Sequence, residues 1–444
     1  MSQFSDACKA LIKNKNTTVY RMSKEFDLDW TTLQRMVSGK RLPNQGFVQR
    51  FCDSLQLTES ESREILEYYK MEQLGRNTYF NRRHIRQFCQ YLCSLEQGQS
   101  ERWDAAADAE MLCHSMSPAA EDALCRLLEE NFTSADPSSL YTNLPAENSS
   151  LFHHLYHLCQ RYERTLPITH LFSFLIDSYH SLANLSALMH VLPITYASGL
   201  SYYSYYVYTR ADKSELCSLL FPYYLISDAG VLLFSSDFSC TALLKEKAAI
   251  RQYQEGFLRI LKQAHPLIQK EGDALSRTLL TTMIPVDPNV YCITSIPPFD
   301  FEERPMEGRP KTLYFTQSGL DRHCADLCAA VASDAMDDDE KGQLRQRVAS
   351  LQEQTAFMLK ETFPFPAHFR FEIHNAAGLH IRCDLPHLPS LVIHESSICE
   401  AFRDFAAALK EESDVCSESE TKAYVARKQK ELSERLTAKD TFGQ

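Results

Sequence analysis

The chain repeats part of itself. FPYYLISDAGVLLFSSD (221–237) runs into FSCTALLKEKAAIRQYQEGFLRIL, and HFRFEIHNAAGLHIRCD (368–384) runs into LPHLPSLVIHESSICEAFRDFAAAL. With a one-residue gap, Asp237 matches Asp384, Ile250 matches Ile398, Phe257 matches Phe405 and Leu261 matches Leu409, a spacing of about 147 residues. Each copy reads as a β-hairpin, a third strand and then an amphipathic helix. The spacing is far longer than that of a solenoid repeat, so a half-domain has been duplicated. Two related α/β halves are therefore expected, facing each other across a pseudo-two-fold with a ligand cleft at their junction.

Upstream of the first copy, SLYTNLP (139–145) is strand-like, SSLFHHLYHLCQRY (149–162) is an amphipathic helix and LPITHLFSFLI (166–176) is strand-like again. Strand, helix and strand in so short a span imply a parallel βαβ unit. The run carrying Tyr202, Tyr203, Tyr205, Tyr206 and Tyr208 is a further strand by composition. The second half is expected to begin near residue 272. It would have a strand in 312–320, helix through 321–361 around the acidic loop Asp334–Glu340, and a helix at 419–437.

The N-terminal 75 residues follow a different pattern. Residues 4–15, 45–55 and the stretch after Thr58 carry apolar residues at helical spacing, and Thr58 with Glu61 forms a capping-box signature. Between them lies TVYRMSKEFDLDWTTLQRMVSGKRLP (18–43). It reads as two short helices joined by a tight turn. Met22 and Phe26 supply the apolar face of the first helix and Leu33, Met36 and Val37 that of the second, with Leu28 plugging the angle. Asp29 is a helix N-cap, Gly39 a C-terminal stop, and Pro43 blocks continuation. Trp30, Thr31, Thr32, Gln34 and Arg35 are left for solvent, and Lys40 and Arg41 follow at once. Threonine, glutamine and arginine can read base edges, and lysine and arginine can hold phosphates.

On Met22-Ser23, Leu28, Leu33, Gly39-Lys40-Arg41 and Pro43, this stretch resembles the helix-turn-helix of the phage-repressor (Cro-like, Xre) regulators. The sequence departs from that pattern at Asp27, where the family commonly has Gly, at Ser23 in place of Ala, and at Val37 in place of an acidic residue. The resemblance covers roughly residues 5–70 and implies a DNA-binding head acting as a homodimer on double-stranded DNA.

Charge placement agrees with this. Residues 1–90 hold 15 Lys+Arg against 10 Asp+Glu, a net of +5, whereas the whole chain carries −12. A basic head on an acidic body suits a single contact with nucleic acid. The 15 cysteines follow no framework, and the start of the chain has no signal-peptide apolar region, so free thiols in a cytoplasmic protein are expected. The apolar stretch 171–208 is interrupted by Asp177, His180, Asn184, His190 and Pro193, so no membrane partner is expected.

Other constellations carry less chemistry. His323, Cys324 and Cys328 form H-C-x3-C with no second pair at zinc spacing, and Cys89-x3-Cys93 stands alone in the same way. His153 and His157 share a helix face without the glutamate of a hydrolase motif. His368, His374, His380, His387 and His394 are spread over strands with no triad-like partner. Phospholipase-D-like folds pair two α/β halves through His-x-Lys sets, but His380-Ile381-Arg382 has Arg where Lys is needed. No enzyme, metal or cofactor is expected.

The chain is thus read as a multidomain protein. An all-α helix-turn-helix head (1–75) is followed by a helical connector (76–135) and a duplicated α/β body (136–271 and 272–444, with a helical tail). The expected function is that of a transcriptional regulator. Its body would sense a small-molecule or peptide effector, or hold the dimer. The alternative is an antitoxin-like protein-interaction module without sequence-specific DNA binding.

Overall fold

The computed structural model describes residues 2–96, 116–134, 139–145, 149–162, 166–175, 181–196, 200–209, 220–270, 291–296, 312–332, 355–374, 378–385 and 388–440. The chain divides into two compact units, Met1–Arg83 and His84–Gln444.

The first unit is helical: α1 (Gln3–Asn14), α2 (Val19–Glu25), α3 (Trp30–Val37), α4 (Gln45–Ser54), α5 (Glu59–Leu74) and the start of α6 (Arg76–Glu96). Local chemistry starts each of the first five. Ser2, Thr18, Asp29, Asn44 and Thr58 each accept a hydrogen bond from a backbone N–H in the first turn, and the Thr58–Glu61 capping box is complete. Each such cap stabilises by about 1 kcal/mol. One core joins these helices through Phe4, Met22, Leu28, Leu33, Phe51 and Ile65 among others. Burial pushes the Cys8 thiol up to about 12 and the Cys52 thiol up to about 11, so both act as small apolar side chains. Phe26 departs from expectation. It follows α2 instead of lying on it and is 45% exposed.

The expected connector divides differently. From α6, Ile85, Phe88, Cys89 and Leu92 sit in the core of the second unit. So do Leu124, Leu127, Leu128 and Phe132 of α7 (Pro118–Thr133), which Ser117 caps. Residues 97–115 of the expected helical connector lie outside the described residues.

The second unit is mixed α/β with two seven-stranded sheets. In the first half, β1 (Leu140–Thr142), α8 (Ser149–Tyr162), β2 (Leu166–Leu175), α9 (Ser181–Tyr196) and β3 (Leu200–Thr209) precede the repeat. The copy itself supplies β4 (Tyr223–Ser227), β5 (Gly230–Phe234), β6 (Thr241–Leu244) and α10 (Lys247–Leu261). β7 (His265–Pro266) and β8 (Gln269–Lys270) follow. In the second half come β9 (Tyr291–Thr294), β10 (Thr312–Thr316), α11 (Gln317–Ala332) and β11 (Ala356–Leu359). The second copy supplies β12 (Phe369–Ile373), β13 (Leu379–Cys383), β14 (Leu391–Ile393) and α12 (Ser396–Ala408), and α13 (Glu418–Asp440) closes the chain. The strand expected at 312–320 ends at Thr316. Helix was expected through 321–361, but Ala356–Leu359 is a strand.

The two sheets share one strand topology. The sheets read β6-β5-β4-β1-β2-β3-β7 and β8-β14-β13-β12-β9-β10-β11. In both, an antiparallel hairpin with its third strand joins a parallel trio through an antiparallel contact, β4 on β1 and β12 on β9. After the repeat helix, Pro266 pairs with Tyr205 on β3, and at the matching place Val415 pairs with Leu359 on β11. β8 then crosses over and pairs with β14 of the second sheet.

The halves do not meet as the expected pseudo-two-fold requires. α9 packs on α12, and Asn184 of α9 donates to Ser397 of α12 at 3.1 Å. Tyr208 of β3 donates to Glu395 at 2.7 Å, and Tyr196 meets the Phe369 ring edge-on. A two-fold would repeat this between the matching helices α11 and α10. Instead α11 packs on α13, and α10 covers β4 and β5. The contact is heterologous, one face of the first half against the opposite face of the second. One apolar core runs through the junction where a cleft was expected.

Candidate nucleic-acid interface

The α2–α3 pair is built by its own residues. Met22, Leu28, Leu33 and Met36 are at most 2% exposed and lock the two helices onto the head. The turn between them uses Asp27 at φ 50, the left-handed backbone that glycine adopts most readily and that Asp tolerates. The carboxylate of Asp29 accepts from the Thr32 N–H at 2.7 Å. The Thr32 hydroxyl first, and then this N–H bond, hold its carboxyl below the usual carboxylate range, with the nearby Arg35 charge contributing least. At the far end Gly39 has φ 69, its N–H donates to the Met36 carbonyl, and the Lys40 N–H reaches back to the Arg35 carbonyl. Any larger residue at 39 would meet Ser5 Oγ at 3.2 Å, so the stop also lets α3 sit close to α1.

Trp30, Thr31, Gln34 and Arg35 are exposed along α3, and Lys40 and Arg41 are exposed beyond it. Thr32 is half-buried beside its cap, which limits its reach. Lys40 and Arg41 have no carboxylate partner among the described residues, in contrast to Arg21, which pairs with Glu25 at 2.7 Å, and Arg63, which pairs with Glu59 at 3.0 Å.

Compared with family models, curated proteins and solved structures, the chain matches none.

The remaining candidates fall into place. Cys324 lies in an apolar cluster with Leu313 and Phe315, and burial pushes its thiol up to about 11. Cys89 is fully buried and its thiol is pushed up as well. The imidazole of His154 lies 3.1 Å from Glu121 and 3.3 Å from Cys125. Burial and the Glu121, Glu129 and Asp122 carboxylates raise the Cys125 thiol, which favours its protonated form.

One grouping was missed. Glu372 and His374 on and just after β12, with His380 on β13, bring one ligand atom each within 4.8 Å of the others. The signal was present as Glu-x-His at strand period, followed by a hairpin and a histidine. Its partner across the turn depended on register.

No helix among the described residues is long and apolar enough to cross a membrane.

Proposed function

We propose that this chain is a DNA-binding regulator whose α2–α3 pair acts as a helix-turn-helix, α3 entering the major groove. The observation that supports this is the unpartnered solvent face of α3. That face carries Thr31, Gln34 and Arg35 with Lys40 and Arg41 immediately beyond, on a helix stopped at both ends and locked to the head by buried residues. Arg35 pairs with a guanine edge, Thr31 and Gln34 read neighbouring bases, and Lys40 and Arg41 hold phosphates. Two copies acting on half-sites about one helical turn apart are the arrangement such heads use.

Selection of bound sequences from random duplex DNA tests this. Arg35→Ala is expected to cost about 1–3 kcal/mol and to relax one position of the selected site. An unchanged site and affinity would remove α3 from the role.

Lys40→Ala is expected to weaken all sequences alike and to flatten the dependence of log affinity on log salt by about one unit. A change of preferred sequence in that variant contradicts the phosphate assignment.

A second reading has its own observation. Tyr20, Phe26 and Trp30 of the same helix pair are 66%, 45% and 51% exposed. Aromatic rings of this kind anchor protein–protein contacts. A head that binds no duplex at low salt, yet captures a protein partner through Trp30, supports the interaction module instead.

A further inference from the structure

The two copies of the repeat differ on one face of their hairpins. In the first hairpin, Leu225, Leu232 and Phe234 point to one face of the sheet and are fully buried in apolar core. Aligning the copies on Ile226 and Ile373, and following the strand pairings, moves the one-residue gap from after Asp384 into the hairpin turn and places Glu372, His380 and Arg382 at the same three positions of the second hairpin. Tyr223 becomes Arg370, and Ser227 becomes His374. Glu372 and His380 are nonetheless only 4% and 3% exposed. The fold does not require charge there, since its own duplicate does without it, and burying such groups is costly unless they are satisfied.

We propose that Glu372, His374 and His380 form a binding site for a divalent transition metal ion such as Zn²⁺. Three features converge. Glu372 on β12 and His374 just after it are two residues apart, and His380 stands directly across from Glu372. The three ligand atoms lie within 4.8 Å of one another. Donors held at about 2.0–2.2 Å on one tetrahedral ion are ~3.4 Å apart, so side-chain shifts of about 1 Å close the set.

The carboxylate is also held in place. Arg382 approaches one oxygen at 3.2 Å, and Arg370 lies 3.6 Å from the other. That second oxygen, Oε1, is buried and accepts no hydrogen bond among the described residues.

Two histidines and one carboxylate leave coordination positions open, as in sites where the ion binds a further ligand. Arg370 and Arg382 orient Glu372 and lower the affinity relative to a set without cations. They also favour an anionic fourth ligand.

The full chain, stripped with chelator, is titrated with Zn²⁺ by calorimetry and with Co²⁺ by visible absorption. One ion per chain is expected, with a nitrogen- and oxygen-ligand cobalt spectrum lacking thiolate charge transfer. His374→Ala, at a half-buried position, should weaken binding at least tenfold, and so should Glu372→Gln. If His380→Ala fails to fold, His374→Ala still decides. Absence of stoichiometric binding overturns the site. So does a thiolate spectrum, or binding that persists unchanged in His374→Ala, because the ion then sits on the chain's cysteines or elsewhere.

Discussion

Replacing Gly319 by alanine is expected to destabilise the second unit by about 3 kcal/mol or more. Gly319 lies in the first turn of α11, where its N–H donates to the Thr316 hydroxyl at 3.0 Å. An added Cβ would lie 2.1 Å from the Ser295 carbonyl oxygen and 2.6 Å from its carbonyl carbon. Both are backbone atoms, so no rotamer change relieves the clash. Ser295 follows β9 directly, and Thr316 ends β10, which pairs with it. The helix can move away only by pulling on paired strands. Gly256, inside α10, is the contrast: nothing lies within 4 Å of an added Cβ there. Gly256→Ala should raise stability by about 0.5–1 kcal/mol through helix propensity. Denaturant unfolding of the full chain, followed by a probe in the second unit, checks both. Equal midpoints for the two variants would refute the packing account.

Acid should weaken the same unit through His170. This histidine is fully buried on β2. Its Nε2 donates to the Leu144 carbonyl at 2.6 Å, and its Nδ1 accepts from the Tyr202 hydroxyl at 2.8 Å. Both ring nitrogens are thus used by the neutral form. Burial drives the imidazole pKa down from 6.5 to about 3, against the smaller opposing effect of the Leu144 hydrogen bond. Folding therefore favours the unprotonated ring. The stability it contributes is complete above pH 6.5 and is lost as the pH falls from 6.5 toward 3, because the unfolded chain takes up the proton first. At pH 4.5 the loss should be about 2–3 kcal/mol relative to pH 7. Carboxylates add their own acid dependence, so the test is a difference. His170→Gln should be less stable than the parent at pH 7 and close to it at pH 4.5. Parallel stability–pH curves for the two proteins would show that His170 does not titrate with unfolding.

Most of the elements were legible in the chain itself. α3 was readable because Asp29, the apolar offsets of Leu33 and Met36, and Gly39 mark a start, a face and a stop within a dozen residues. The capping box of Thr58 and Glu61 formed for the same reason, since both partners lie within one turn. The errors arose where a neighbour outvoted local pattern. Phe26 fits the helical spacing of α2, yet the turn at Asp27 carries it out to solvent. Ala356–Leu359 falls within a sequence stretch that reads as helix but pairs along β10 as a parallel strand. Pairing with a strand some forty residues earlier leaves no local trace.

The sequence alone determined that this protein has a capped helical head and a mixed α/β body whose sequence repeats within itself. Periodicity, caps and internal repetition are properties of neighbouring residues, and they survive in any arrangement of the parts. Only the tertiary structure decided that the halves stack front to back, α9 on α12, with an apolar core where a cleft was expected. It also decided that Glu372, His374 and His380 converge. Their meeting depends on the register of β12 with β13. A one-residue slip would send His380 to the other face of the sheet, and strand composition does not specify that register.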